Sequence, residues 1–210
     1  MTERLLRADA RRNHEQLLAA ARDVIVERGP QAPLDEIARR AGVGIGTLYR
    51  RFPDRGELLR AVVIDALQRT ETVARTAADE EGTAFAALVR YLHEAIDLRV
   101  AAVIPAVLDL VAMDEPDLAG IRGRAARALQ RIIDEAHAEG SLPTEITFGD
   151  VGTLVVRLSR PLPGVPDDAV QHALAHRHVD LLIAGLRQHP ARVAPVGSGL
   201  TRAQLRRLRS

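Results

Sequence analysis

The sequence predicts an all-α chain of about nine helices, divided into a small N-terminal helix-turn-helix unit and a larger C-terminal helical body. Three observations predict it. Apolar residues recur at the three-and-four spacing of helices along most of the 210 residues. The repeats are interrupted by single Gly or Pro residues and short Pro-rich links. One stretch, from Ile37 to Phe52, reads as two short helices joined by a glycine turn.

The N-terminal arginines Arg4, Arg7, Arg11 and Arg12 read as an arm ahead of a first helix from about Asn13 to Arg28. Leu17, Ala21, Val24 and Ile25 form its inward stripe, and Gly29 stops it. The second helix opens near Pro33-Leu34, because proline is tolerated in a first turn, and offers Leu34, Ile37, Ala38 and Ala41 as one apolar face. Gly42 ends it in the left-handed conformation that only glycine reaches without a Cβ clash, and Val43 plugs the angle between the helices. Gly44 caps the third helix. Leu48 then points inward, and Thr47, Tyr49, Arg50 and Arg51 face outward. A short helix with a hydroxyl, a phenol and two guanidinium groups on its free face is suited to reading DNA. Pro53 stops it, and Asp54-Arg55-Gly56-Glu57 has the form of a capping box. Arg55, beside a helix N-terminus that favours anions, is a candidate phosphate contact.

The fourth helix, Arg55 to about Ala78, carries Leu58, Leu59, Val62, Val63, Ala66, Leu67 and Val73 and is long enough to act as a lever between the two parts. After Gly82, a fifth helix is marked by Phe85, Leu88, Val89, Leu92 and Ile96. Pro105 is read as an interruption ahead of a sixth, marked by Val107, Leu108, Leu110 and Val111. A seventh runs from Leu118 to His137 and stops at Gly140. The last two, about Phe148 to Ser159 and Asp167 to Arg187, flank the link Pro161 to Pro166 as a helical hairpin. The apolar residues of this hairpin exceed what it can hide alone, so a second copy of the chain is the expected cover.

The run Ile-Ala-x-x-Ala-Gly-Val-x-x-Gly-Thr-Leu-Tyr-x-x-Phe at residues 37–52, followed by a cation and Glu-Leu-Leu, resembles the tetracycline-repressor (TetR) family of transcriptional regulators. The resemblance covers about residues 9–68, and the segment Arg160 to Val165 and Pro166 looks most like the SbtR-like group within that family. It implies a DNA-binding domain at 9–68 with its helix-turn-helix at about 33–52, a ligand-binding and dimerisation domain at 69–190, and a basic tail at 191–210. It also implies a homodimer held by helices 148–159 and 167–187 as a four-helix bundle. The two reader helices would then lie about one DNA turn, ~34 to 36 Å, apart on an inverted-repeat operator. The DNA-contacting positions so implied are Gly44, Ile45, Gly46, Thr47, Tyr49, Arg50, Arg51 and Arg55. A small, largely apolar effector is expected in the body, with Leu88, Leu92, Val107, Val111, Met113 and Val155 as candidate pocket residues. The family commonly has Ser or Thr where this chain has Pro33 and Gly44, and Lys where it has Arg55; these departures bear on base preference.

Charge is unevenly distributed. The net +1 comprises +3 over residues 1–60, −7 over 61–190 and +5 over 191–210. A basic head on an acidic body suits a protein with one end on phosphates. All 29 cationic side chains are arginines. The chain has no cysteine, which excludes disulfides, thiolate metal sites and a cysteine nucleophile and is compatible with a cytoplasmic location. No apolar run reaches the ~18–20 residues of a membrane span, and the N-terminus lacks a secretory apolar segment.

Other chemistries fit poorly. The Gly42-x-Gly44-x-Gly46 spacing suggests a nucleotide loop, but that motif needs a preceding strand and an Ala/Arg helix precedes it here. The four serines lie in no nucleophile elbow, and no acid/base pair is evident, so no enzyme is expected. His172 and His176 share a helix face, but His178 does not, so no metal site and no cofactor are expected. A constitutive DNA binder without an effector is the alternative to a regulated repressor. The tail Arg192 to Arg209 reads as flexible.

Overall fold

The computed structural model describes residues 2–164 and 167–188. Among them the chain forms nine helices: α1 (Thr2–Arg28), α2 (Leu34–Arg40), α3 (Ile45–Arg51), α4 (Arg55–Glu80), α5 (Ala84–Asp97), α6 (Val100–Val107), α7 (Pro116–Ala138), α8 (Phe148–Leu158) and α9 (Asp168–Gln188). No strand occurs among the described residues. The expected tail at 191–210, and Val165 and Pro166 of the Pro-rich link, lie outside them.

Two elements differ from expectation. α1 begins at Thr2, so the backbone that carries Arg4, Arg7, Arg11 and Arg12 is helical and there is no separate arm. The Leu, Ala and Arg residues in this stretch are strong helix formers, and nothing in it breaks the repeat. α6 lies earlier than expected, at Val100–Val107 with Pro105 inside it, and residues 108–111 form a turn. The real break falls at Arg99, a non-glycine residue at φ 48° and ψ 16°, directly after the C-cap of α5. Pro105 sits near the end of the short α6, where its missing N–H costs at most one intrahelical bond.

Two apolar cores organise the chain. The first joins Leu17, Ala21, Val24 and Ile25 of α1, Ile37 and Ala38 of α2, Leu48 of α3 and Leu58, Val62 and Val63 of α4. It also takes in Val103 and Val107 of α6, Val111 and Met113 of the following turn, and Leu118 of α7. The second gathers Val73 and Ala77 of α4, Phe85, Leu88, Tyr91 and Leu92 of α5, Leu129, Ile132 and Ile133 of α7, Val151 and Val155 of α8 and Val179 of α9. α4 and α7 therefore run through both, and α6 is packed into the same core as the reader pair. Three elements, α4, α6 and α7, therefore pack the body against the N-terminal helices.

Polar groups fix the joints. Arg22 of α1, 7% exposed, pairs with Asp65 of α4, which also takes Arg69 at 2.9 Å. The carboxylate of Glu139 accepts from the Ala84 amide at 3.0 and 3.1 Å, covering the open N-terminus of α5 from the end of α7. Gln171 of α9 donates to the Leu162 carbonyl and accepts from the Leu162 amide, both at 2.8 Å, and so fastens the α8–α9 connection. No described helix is long and apolar enough to cross a membrane.

Candidate nucleic-acid interface

The turn between α2 and α3 is built by hydrogen bonds that glycine makes possible. Gly42 has φ +69°, its amide donates to Arg39 O at 3.2 Å, and the Val43 amide donates to Ala38 O at 3.0 Å. These are the two bonds of a Schellman motif, which satisfies the last carbonyls of α2 and reverses the chain. Val43 packs against the first core, as its position in the turn requires. Gly44 then caps α3 with extended backbone, φ −70° and ψ 147°, and its carbonyl accepts from Thr47 N at 2.8 Å.

With the turn set, α3 has one inward residue and a free outer face. Leu48 is 0% exposed and locks the helix to the first core. Tyr49 is 49% exposed and Ile45, one turn earlier, 38%. Gly44, Gly46, Arg50 and Arg51 are also exposed, and Thr47 is half-buried. The structure thus brings seven of the eight expected contact positions onto the free surface of α3 and its N-cap. Arg50 Nη2 donates to Thr47 Oγ1 at 3.0 Å, which couples two of them.

Arg55 is the exception. Its Nη1 donates to the carbonyls of Pro30 at 2.9 Å and Ala32 at 2.7 Å, so the cation braces the α1–α2 turn against the start of α4. Both bonds use one nitrogen of a half-buried guanidinium, so Arg55 is a brace in the chain whether or not it also meets a phosphate. Asp54 accepts from the Glu57 amide at 2.9 Å and caps α4 as its position suggests.

His14 is a residue that sequence reasoning missed. It lies on α1, its ring stacks on Phe52 with centroids 5.7 Å apart, and its Nδ1 accepts from Arg51 Nε at 3.2 Å. Burial, and after it the Arg51 cation, lower its pKa, which keeps the acceptor nitrogen unprotonated. No motif spacing signals a contact across 37 positions.

The expected effector residues divide between the two cores. Leu88, Leu92 and Val155 belong to the second core, whereas Val107, Val111 and Met113 belong to the first, and all six are buried. Their apolar spacing reflects packing, the commoner use of a helical stripe. An open cleft of about 440 Å³ lies elsewhere, lined by Arg69, Thr72 and Val73 of α4, Glu94 and Asp97 of α5, and Leu98. The His172–His176 pair seen in the sequence is joined by Asp97 of α5, which spacing did not reveal, while His178 is no part of the cluster.

Residues 17–62 match the model of the bacterial regulatory proteins, tetR family. A crystal structure of a TetR transcriptional regulator from Streptomyces coelicolor is 31% identical, with 82% of this chain and 97% of that chain covered and a TM-score of 0.59. The HTH-type transcriptional repressor LfrR of Mycolicibacterium smegmatis is 27% identical over 143 residues, 66% of this chain and 73% of the repressor. The structure of LfrR in complex with proflavine superposes with a TM-score of 0.63 at 23% identity, covering 87% of this chain and 98% of that one. From the glycine turn that presents α3 to the likeness that extends across the helical body, the observations converge: this chain belongs to the TetR family of bacterial transcriptional regulators.

Proposed function

We propose that two copies of this chain bind an inverted-repeat DNA operator as a repressor and that a small molecule entering the helical body releases it. The carrying observation is α3, whose Leu48 is fully buried while Ile45 and Tyr49 stand exposed beside Arg50 and Arg51. In this reading α3 enters the major groove. Tyr49 and Arg51 hold phosphates, Arg50 and Thr47 face base edges or the sugar-phosphate rail, and Ile45 offers an apolar contact. Arg55 acts behind them by bracing the turn.

Gly44 and Gly46 acquire a reason in the same reading. A Cβ built at either meets nothing within 4 Å, and neither has positive φ. Glycine inside a helix costs ~1 kcal/mol against alanine, and nothing within the chain requires it at Gly46. A groove wall pressed against the backbone does.

Pairing is proposed through α8 and α9. Val170, Leu181 and Leu182 of α9 are 45%, 59% and 38% exposed, which is more apolar surface than an isolated surface helix presents singly. A second copy applied about a two-fold axis covers it and presents two α3 helices on one side. The effector is proposed to enter the cleft between α4 and the end of α5, where Val73 and Leu98 supply apolar wall and Glu94 and Asp97 supply carboxylates. Such an effector has an apolar body. LfrR bound to proflavine is a relative of the same fold that holds a small molecule. Ligand weakens DNA binding only through unequal affinity for the two arrangements, and DNA weakens ligand binding by the same factor.

The test is selection of duplexes from a random pool by the purified protein, followed by sequencing. The expected product is an inverted repeat with half-site centres about one turn apart, bound with a steep salt dependence. Recovery of no common sequence, or of a single asymmetric half-site, overturns the proposal. A thermal-shift screen against small apolar molecules separates a regulated repressor from a constitutive binder, for which no stabilising compound alters operator affinity.

A further inference from the structure

α5 and α9 meet along imidazoles and carboxylates that the DNA interface does not use. His93 and Asp97 lie one helical turn apart on α5, and His172 and His176 lie one turn apart on α9. Asp97 Oδ1 is 2.6 Å from His176 Nε2 and 3.6 Å from His172 Nδ1. Asp97, His172 and His176 each offer one donor atom, and the three donors lie within 4.8 Å of one another.

The outer edge of His176 is also engaged. Its Nδ1 is 2.7 Å from His93 Nδ1, with the two ring planes 7° apart and their centroids 4.9 Å apart, so the rings meet edge to edge. The far nitrogen of His93, Nε2, is 3.3 Å from Asp180 Oδ1 on α9. A carboxylate accepts only, so a proton on His93 Nε2, facing Asp180, leaves His93 Nδ1 as an acceptor and His176 donating from Nδ1 with its Nε2 lone pair toward Asp97. In the other tautomer His176 donates from Nε2 to Asp97 at 2.6 Å and accepts from His93. In the first tautomer the lone pair and the carboxylate oxygen need a cation between or beside them. A proton satisfies one such pair; a divalent cation satisfies Asp97, His172 and His176 together.

We propose that Asp97 Oδ1, His172 Nδ1 and His176 Nε2 bind one divalent d-block cation, with Zn²⁺ as the reference ion. His93 and Asp180 form the outer relay that holds His176 in the ligating tautomer, the arrangement in which a second hydrogen bond orients a metal-bound imidazole. Two imidazoles and one carboxylate suit Zn²⁺, Co²⁺, Ni²⁺ or Cu²⁺ better than Mg²⁺ or Ca²⁺, which take oxygen donors. Donors around a tetrahedral ion at ~2.0–2.2 Å stand about 3.3–3.5 Å apart, so closure asks a shift of about 1 Å from these side chains. His172, with its side chain 59% exposed, has the freedom to make it. A cavity of about 40 Å³ lined by Asp97 and His172 adjoins the cluster and leaves room for a water as fourth ligand. The bound ion ties the C-terminal end of α5 to the first half of α9.

The experiment is a Co²⁺ titration of the full chain, free of any affinity tag and stripped with chelator, read by visible absorption. One equivalent should develop the intense bands of a four-coordinate ion, and one equivalent of Zn²⁺ should abolish them. His172→Ala and His176→Ala should remove the bands, His178→Ala should leave them, and His93→Gln or Asp180→Asn should weaken binding about 10–100-fold. Zn²⁺ should raise the melting midpoint of the starting protein and of His178→Ala, but not of His172→Ala, an exposed change that leaves the fold intact. Weak six-coordinate absorption only, or bands that persist in His176→Ala, overturns the assignment. These readouts involve no DNA, so their failure leaves the operator reading untouched, and the converse holds.

Discussion

On α3 the polar groups come from seven consecutive residues and face outward, whereas between α5 and α9 they face each other across 79 and 83 positions of sequence. The first arrangement is set by one turn and one buried leucine, so its chemistry follows from a local motif. The second exists only because two long helices pack with matching faces. Both regions rest on apolar cores of similar make-up, and α4, α6 and α7 join them. The contrast teaches that a recognition surface can be carried on a few residues, while a site inside a helical body is a product of assembly.

The sharpest way to break this contrast is to remove the local anchor. Leu48→Ala, at a residue with no exposed surface, should cost ~2–5 kcal/mol and abolish DNA binding even where the body still gives a helical spectrum. Its neighbour tells the two roles apart. Tyr49→Ala should leave the melting midpoint nearly unchanged and weaken binding to all duplexes, with a flatter salt dependence. Equal losses of stability at the two positions would show that α3 does not separate anchor from reader.

The next largest effect concerns the joint between the regions. Arg22→Ala strips Asp65 of its most buried partner and should cost about 2 kcal/mol, below the ~3–5 kcal/mol of an isolated buried pair because Arg69 remains at 2.9 Å. Arg22→Met with Asp65→Leu should recover most of the stability. DNA affinity should fall in the single variant, because α1 carries His14 to Arg51. Denaturant melts of the three variants check the stability, and fluorescence anisotropy checks the affinity. A single variant with unaltered DNA affinity would show that α1 does not transmit the loss.

A smaller effect of opposite sign is expected at Gly46. Gly46→Ala should raise stability by ~0.5–1 kcal/mol, since the new methyl meets nothing and alanine favours the helix, yet it should lower operator affinity. A variant that is more stable and binds at least as tightly would remove the proposed close approach of the groove.

The head was more legible than the body for the same physical reason that separates them. The α2–α3 turn, Gly42, Gly44 and Leu48 could be placed because a Schellman turn and an N-cap are short-range features. The α5–α6 junction was hidden because the left-handed residue is Arg99 rather than a glycine, and Pro105 looked like the stronger break. The six apolar residues chosen for an effector pocket could not be divided between two cores from spacing alone, which is the same for a pocket wall and for packing. Arg55 reads as a cation for phosphate because its carbonyl partners, Pro30 and Ala32, lie 25 and 23 positions away. The i, i+4 spacing of His172 and His176 was legible, but their meeting with Asp97 of α5 carries no sequence signature.

The smallest effect expected lies at His14, which links the reader to α1. Burial and then the Arg51 cation lower its pKa below the ordinary 6.5, so the folded chain holds this imidazole neutral where the unfolded chain begins to protonate. The stabilisation is therefore full above about pH 6.5, declines as pH falls below it, and stops declining once the folded-state pKa is passed. His14 is only partly buried, so solvent screening keeps the effect small. The measurement is the difference in melting midpoint between the starting protein and His14→Gln across pH 5 to 8, which isolates this ring from the other six histidines of the chain. That difference should shift in favour of the starting protein as pH rises through the window. Operator affinity adds a second reading, because a protonated His14 Nδ1 cannot accept from Arg51 Nε and releases the guanidinium from its place beside this ring. A pH-independent difference between the two proteins would mean that the ring does not hold Arg51 through a neutral nitrogen, and that α3 presents its cations without help from α1.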